Sequence, residues 1–209
     1  NVAALLRSHI QQMSNVTFIF AGSERHILSE MFGASSRPFY KSVSTICLEP
    51  IPEMEYEKFV CAMMEGKGRS QDNTAVAPLY NLFSGNTFYL QKTFNKAFMF
   101  VRKGSECTMR EISAAVADNI LENQLIFKDI MSHLAPKQKK LLIAIAEEGN
   151  ASGITGEKFI SRHSLSGSSS VQAAMKGLMG AHLVTREADT LYVEDMLFRL
   201  WILDNYAQG

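Results

Sequence analysis

Ser168-Ser169-Ser170-Val171-Gln172-Ala173-Ala174-Met175-Lys176-Gly177-Leu178-Met179-Gly180-Ala181, with what stands on either side of it, decides most of the fold. The serine-rich stretch over residues 166–170 reads as a turn leading into a helix. Two short strand candidates follow at residues 183–186 and 191–194, joined by Ala188-Asp189. Upstream, residues 155–163 form a short helix. Pro136, which suits a first helical turn, opens another over residues 137–147, apolar at Leu141, Leu142, Ala144 and Ile145 and ended by Gly149. Three helices followed by a two-stranded wing describe a winged helix-turn-helix. The run from Asp195 through Trp201 to Ile202 adds an amphipathic C-terminal helix.

Further outward the pattern stays helical. Residues 53–65, 74–83, 86–101 and 108–134 carry apolar side chains at helical spacing, with short turns between them, as a small bundle does. Thr108-Met109-Arg110-Glu111 spells a capping box. Before Pro52 the pattern changes. Thr17-Phe18-Ile19-Phe20-Ala21 and Ser44-Thr45-Ile46-Cys47-Leu48 read as buried strands, with a helix over residues 23–32 between them. Strand, helix, strand is a βαβ unit that needs a sheet around it, and two strands cannot supply one. The expected fold is therefore mostly α with a small α/β remnant: a partial parallel sheet, a small helical bundle and a winged helix. The expected boundaries are residues 1–51, 52–134 and 135–209.

Composition narrows the function classes. The 209 residues are 46% hydrophobic, and 21 Lys and Arg balance 21 Asp and Glu, giving zero formal charge. That excludes a disordered tail and any global attraction for nucleic acid or anionic lipid. Cys47, Cys61 and Cys107 stand apart, as reduced thiols of a cytoplasmic protein do. No apolar run reaches membrane-spanning length, and no signal peptide precedes the first helix. The chain starts at Asn1 without Met, which suggests a piece of a longer protein.

His9, His26, His133, His163 and His182 are isolated, which argues against a metal site. Gly22-Ser23 lacks the flanking glycines of a nucleophile elbow. No G-x-x-x-x-G-K-[ST] occurs, so no phosphate-cradling loop lies in this chain. Ser23 nonetheless falls at the carboxyl end of the first strand, where open α/β sheets bind ligands. Arg25 and His26 stand in the next helix's first turn, and Arg37 and Lys41 in the loop beyond. Plain helix capping by Ser23 above a solvated cationic loop explains the same residues. In the winged helix, Ser169, Ser170, Gln172 and Lys176 are candidates for contact with DNA or a partner protein. From Pro136 onward, eight Lys and Arg meet eight Asp and Glu, which favours protein contacts over a basic DNA-reading face.

The sequence Thr17-Phe18-Ile19-Phe20-Ala21-Gly22-Ser23-Glu24-Arg25-His26, then Arg37-Pro38-Phe39-Tyr40, resembles the C-terminal half of the nucleotide-binding domain of archaeal- and bacterial-type AAA+/STAND P-loop ATPases. Ser84-Gly85-Asn86-Thr87-Phe88-Tyr89-Leu90-Gln91 is similar to that family's helical lid motif, Gly-Gly-x-Pro-aromatic-aromatic-Leu-Gln. The stretch from Tyr192 to Trp201 is similar to the end of its winged helix. The resemblance implies a γ-phosphate sensor at Ser23, cationic phosphate sensors or an interdomain ion pair at Arg25 and Arg37, and adenine and ribose contacts at Gly85, Asn86 and Thr87. Ser84 replaces a Gly of the motif, Thr87 replaces its Pro, and Lys41-Ser42 stands where Gly-Arg is usual.

The expectation that follows is a C-terminal fragment of an ATP-binding switch protein, whose lid and winged helix relay nucleotide state to a partner. ATP and Mg²⁺ would belong to the full-length protein, whose upstream P-loop domain is the first partner. The fragment alone would hold neither and would have no ATPase activity or catalytic residue of its own. The alternatives are a winged-helix DNA-binding regulator and an interaction module without nucleotide chemistry.

Overall fold

A computed structural model describes residues 2–22 and 25–207. The chain divides into two compact units, Asn1–Glu49 and Pro50–Gly209. In the first, helix α1 spans Val2–Gln12 and helix α2 spans Arg25–Gly33. Phe20, Phe32 and Phe39 gather into a small aromatic core, with ring centroids 5.1, 5.7 and 5.6 Å apart, and Phe39 is buried.

The βαβ expectation is corrected here. Neither residues 17–21 nor residues 44–48 join a strand ladder among the described residues. Phe20 packs under α2 through Phe32, so one side of the first segment is covered. Ile19 is 90% exposed, and Ile46 and Leu48 are 83% and 84% exposed. A β-rich sequence holds a strand only where neighbouring backbone completes its hydrogen bonds, and these two segments find no such ladder among the described residues. The parallel sheet expected in this region is therefore absent from the described residues.

The second unit is helical with small sheets. Helix α3 spans Glu53–Glu65, with Glu53 and Glu55 in a first turn that favours negative charge. A 3-10 turn at Asn73–Ala75 runs into α4, Val76–Leu82, and α5 spans Thr87–Phe100. Helix α6, Met109–His133, carries 25 residues and so runs about 38 Å. Its capping box forms: the Thr108 side chain accepts from the Arg110 N–H, and the Glu111 carboxylate accepts from the Thr108 N–H at 3.0 Å. Between these helices lies a two-residue parallel pair, β1 (Ser70–Gln71) on β2 (Glu106–Cys107), too short to leave a sequence pattern.

The winged helix follows: α7 Pro136–Glu148, β3 Ala151–Ser152, α8 Glu157–Arg162, α9 Ser168–Gly180, β4 Val184–Glu187, β5 Thr190–Val193 and α10 Met196–Tyr206. Its sheet is antiparallel in the order β3-β5-β4, with Val184 opposite Val193 and Glu187 opposite Thr190. Pro136 occupies the first turn of α7, where its missing N–H costs nothing. One apolar core runs from the bundle into the winged helix. Phe127 of α6 stacks on Phe198 of α10 at 5.0 Å and lies 5.8 Å from Trp201. Across α5 and α6, the nearly buried Lys96 ammonium meets Asp118 at 2.7 Å and Glu122 at 2.6 Å.

Candidate functional site

The expected lid residues build the corner between α4 and α5. Ser84 and Gly85 both take the left-handed region, at φ 49° and 71°, and so reverse the chain in two residues. The Gly85 N–H donates to the Tyr80 carbonyl at 2.9 Å, and the Asn86 N–H donates to Phe83 at 2.8 Å. Gly85 is required twice over. Its φ suits glycine, and a Cβ there would lie 2.7 Å from the Tyr80 hydroxyl and 2.9 Å from Pro50 Cβ. The Asn86 side chain accepts from the Phe88 N–H at 3.1 Å and caps α5.

Two tyrosines anchor this corner. The Tyr80 hydroxyl donates to the Ile51 carbonyl at 2.7 Å, holding the chain that enters the unit. Tyr89 stacks on Phe83 at 5.3 Å, donates its hydroxyl to Asp195 Oδ1 at 3.2 Å and accepts from the Met196 N–H at 3.2 Å. Burial first, and the Asp195 carboxylate next, push the Tyr89 pKa up to about 12, so the phenol keeps its proton. Asp195 Oδ1 also accepts from the N–H groups of Leu197 and Phe198 as the cap of α10. Outward, the corner presents exposed Asn86, half-buried Thr87 and Phe88, which is 64% exposed. These three residues offer an amide, a hydroxyl and an aromatic ring.

The remaining expected residues belong to other parts of the chain. Ser23 lies outside the described residues. Arg25 is the first residue of α2. The Arg37 guanidinium forms an ion pair with Glu30 of α2, so its charge is met within its own unit. On α9, Ser169, Gln172 and Lys176 are exposed and share one face, while Ser170 is half-buried. Lys137 and Lys140 of α7 line a shallow cleft with Ser166 and Ser170, so part of the lysine cluster lies beside the start of α9.

Sequence spacing missed Tyr80, whose role comes from a contact 29 residues away, and the tie from Tyr89 to Asp195, 106 residues away. It also missed a cluster at the end of α7. His163 Nε2 lies 2.9 Å from Glu148 Oε1 and His163 Nδ1 lies 3.2 Å from Glu147. Hydrogen bonds from His163, then Arg162, hold the Glu148 carboxyl below its usual range. An open, largely apolar groove of about 810 Å³ runs between α4, α6 and α10, lined by Leu82, Val116, Ile120, Leu200 and Asn205. No group of three or more metal-ligating side chains occurs among the described residues. No helix among them is long and apolar enough to cross a membrane. Cys47 is exposed and Cys107 buried, and neither they nor Cys61 forms a disulfide.

The model of a family described as a probable winged helix domain matches residues 125–204. No curated protein matches the sequence. Among solved structures, the chain is similar to the Walker-type ATPase of Pyrococcus abyssi, with a TM-score of 0.65 and 14% identity over 96% of this chain. The chain spans 57% of that protein's length. At that identity the likeness is one of fold: mostly α, with small sheets and a winged helix, arranged as in part of a Walker-type ATPase.

Proposed function

We propose that this chain is the C-terminal part of an ATP-binding P-loop protein of the AAA+/STAND kind, and that its lid corner and winged helix relay nucleotide state to a partner. The observation that carries the reading is the double anchorage of the corner. Residues 80–89 hold the entering chain at Ile51 through Tyr80 and the cap of α10 at Asp195 through Tyr89. A ligand that shifted this corner would be felt at both places, which is what a relay between modules needs. Asn86, Thr87 and Phe88 offer an amide, a hydroxyl and an exposed aromatic edge, chemistry suited to a purine nucleoside. Ser23, Arg25 and Arg37 would report on phosphate only beside a P-loop supplied from outside this sequence. ATP with Mg²⁺ would bind there, and the chain alone would not turn it over.

The test is a melting experiment on the protein with its natural preceding sequence. A P-loop upstream and a midpoint that rises with ATP and Mg²⁺ support the reading, since a ligand at one hundred times its Kd stabilises by about 2.7 kcal/mol. A preceding sequence without a P-loop, or a midpoint indifferent to ATP, overturns it. A second reading, DNA binding, draws on the exposed face of α9 beside Lys137 and Lys140. Salt-sensitive retardation of duplex DNA by this chain supports it, and no retardation at low salt removes it. Nucleotide indifference together with no DNA retardation would leave an interaction module.

A further inference from the structure

We infer that Tyr80 and Gly85 form a latch on the segment joining the two units, so that the α4–α5 corner governs how freely the chain swings as it leaves the second unit. The joining segment, Pro50-Ile51-Pro52, is the opening stretch of the second unit and runs directly into α3 at Glu53. Two prolines fix two of its three φ angles, and Ile51, preceding a proline, is biased toward extended backbone. Pro52 is continuous with α3: its carbonyl accepts from the N–H groups of Glu55 and Tyr56, at 2.9 and 3.0 Å.

A stiff segment of this kind needs one lateral hold to fix its direction. The Tyr80 hydroxyl on the Ile51 carbonyl supplies it at 2.7 Å. Gly85 supplies the second surface, because the corner approaches Pro50 and the Tyr80 ring so closely that only a hydrogen fits on its Cα. The Gly85 N–H on the Tyr80 carbonyl ties the turn to the residue that holds the segment. A ligand at Asn86, Thr87 and Phe88 that binds the held and the free segment with different affinity is linked to its freedom, and that linkage is reciprocal. The latch rests on the proposed function only for the identity of that ligand.

The test uses the 209-residue chain. Trp201 is the single tryptophan and serves as an energy-transfer donor, while exposed Cys47 accepts a thiol-reactive acceptor dye. Cys61→Ser, which preserves a donor toward Asn73, makes the labelling specific, because Cys107 is fully buried. Time-resolved transfer gives the spread of Trp201–Cys47 distances. Tyr80→Phe removes the hydroxyl and keeps the ring, and it should shift a held-against-free equilibrium by about fivefold and so broaden the spread. Pro50→Gly should broaden it as well. An unchanged spread in Tyr80→Phe, with melting curves showing the second unit folded, overturns the latch, and the Pro50→Gly variant serves to show that the assay reads a loosened segment. Failure is separable from that of the nucleotide reading. An ATP-stabilised P-loop protein with an unchanged spread sinks the latch alone. A broadened spread with no response to ATP sinks the nucleotide reading alone.

Discussion

Replacing Gly85 with alanine separates a corner built by packing from one kept only for a ligand. At φ 71° a Cβ costs about 1–2 kcal/mol against the preceding carbonyl. The new methyl would stand 2.7 Å from the Tyr80 hydroxyl and 2.9 Å from Pro50 Cβ. Moving the hydroxyl away breaks its bond to Ile51, a loss of about 1 kcal/mol. Pro50 cannot swing aside as a long side chain does, and overpacking of this kind costs about 1–3 kcal/mol. Stiffening of the unfolded chain returns about 0.4–1 kcal/mol. The net destabilisation is about 4 kcal/mol, which in a unit of this size lowers the thermal midpoint by about 8–16 °C. Urea unfolding of the 209-residue chain, followed by far-ultraviolet circular dichroism, measures it without any nucleotide. A Gly85→Ala chain within about 0.5 kcal/mol of the parent would refute the packing argument and leave a ligand as the reason for glycine.

Thr87→Pro, which restores the residue of the lid motif, should stabilise the chain by about 0.5 kcal/mol in the same assay, because Thr87 is the first residue of α5 and Asn86, at φ −66° and ψ 108°, already has the backbone a following proline requires. A midpoint lowered by more than 2 °C or so would show that the Thr87 amide or side chain is used in the fold. The capping box of α6 predicts a pH dependence. Hydrogen bonds from Thr108, then Arg110, lower the Glu111 carboxyl to about 2, so its contribution is complete above its unfolded value of 4.5 and is lost as pH falls toward 2. The Glu111 side chain is 10% exposed but its Arg110 partner is 88% exposed, so that contribution is about 1–2 kcal/mol. Glu111→Gln should therefore be less stable at pH 6 and flatten the acid limb between pH 5 and about 2.5; an acid limb of unchanged slope would contradict the assignment.

Local rules made the second unit readable. Pro136 in a first turn, Asn86 and Thr108 as caps, and the Asp195 cap of α10 mark helix ends through short-range hydrogen bonds that a sequence displays directly. The wing followed from the strand candidates on either side of Ala188, which takes φ 50° in the turn. The failure at residues 17–21 and 44–48 has the opposite origin. Their β-forming side chains specify a face, but a strand exists only when another backbone completes it, and that is a non-local condition no window of sequence contains. The β1–β2 pair was missed for the converse reason, since two residues a side carry no periodicity. At the corner, Gly85 and Asn86 were legible because φ and capping are local, whereas Tyr80 and Tyr89 act through partners far along the chain.

That difference bears on how much a motif argues about function. A glycine at positive φ followed by an asparagine cap is what a tight helix–helix corner needs, whether or not anything binds it. Gly85, held between Tyr80 and Pro50, and Tyr89, buried between Phe83 and Asp195, are accounted for by the fold. Phe88 is not, because a large aromatic left 64% exposed at the start of a helix contributes little to stability. Phe88 is also the neighbour of the capped turn and stands edge-on to Tyr89, at 5.1 Å and 77°. A ligand laid on Phe88 would therefore touch the ring packed against the tyrosine that holds α10, a path of two side chains from that surface to the winged helix.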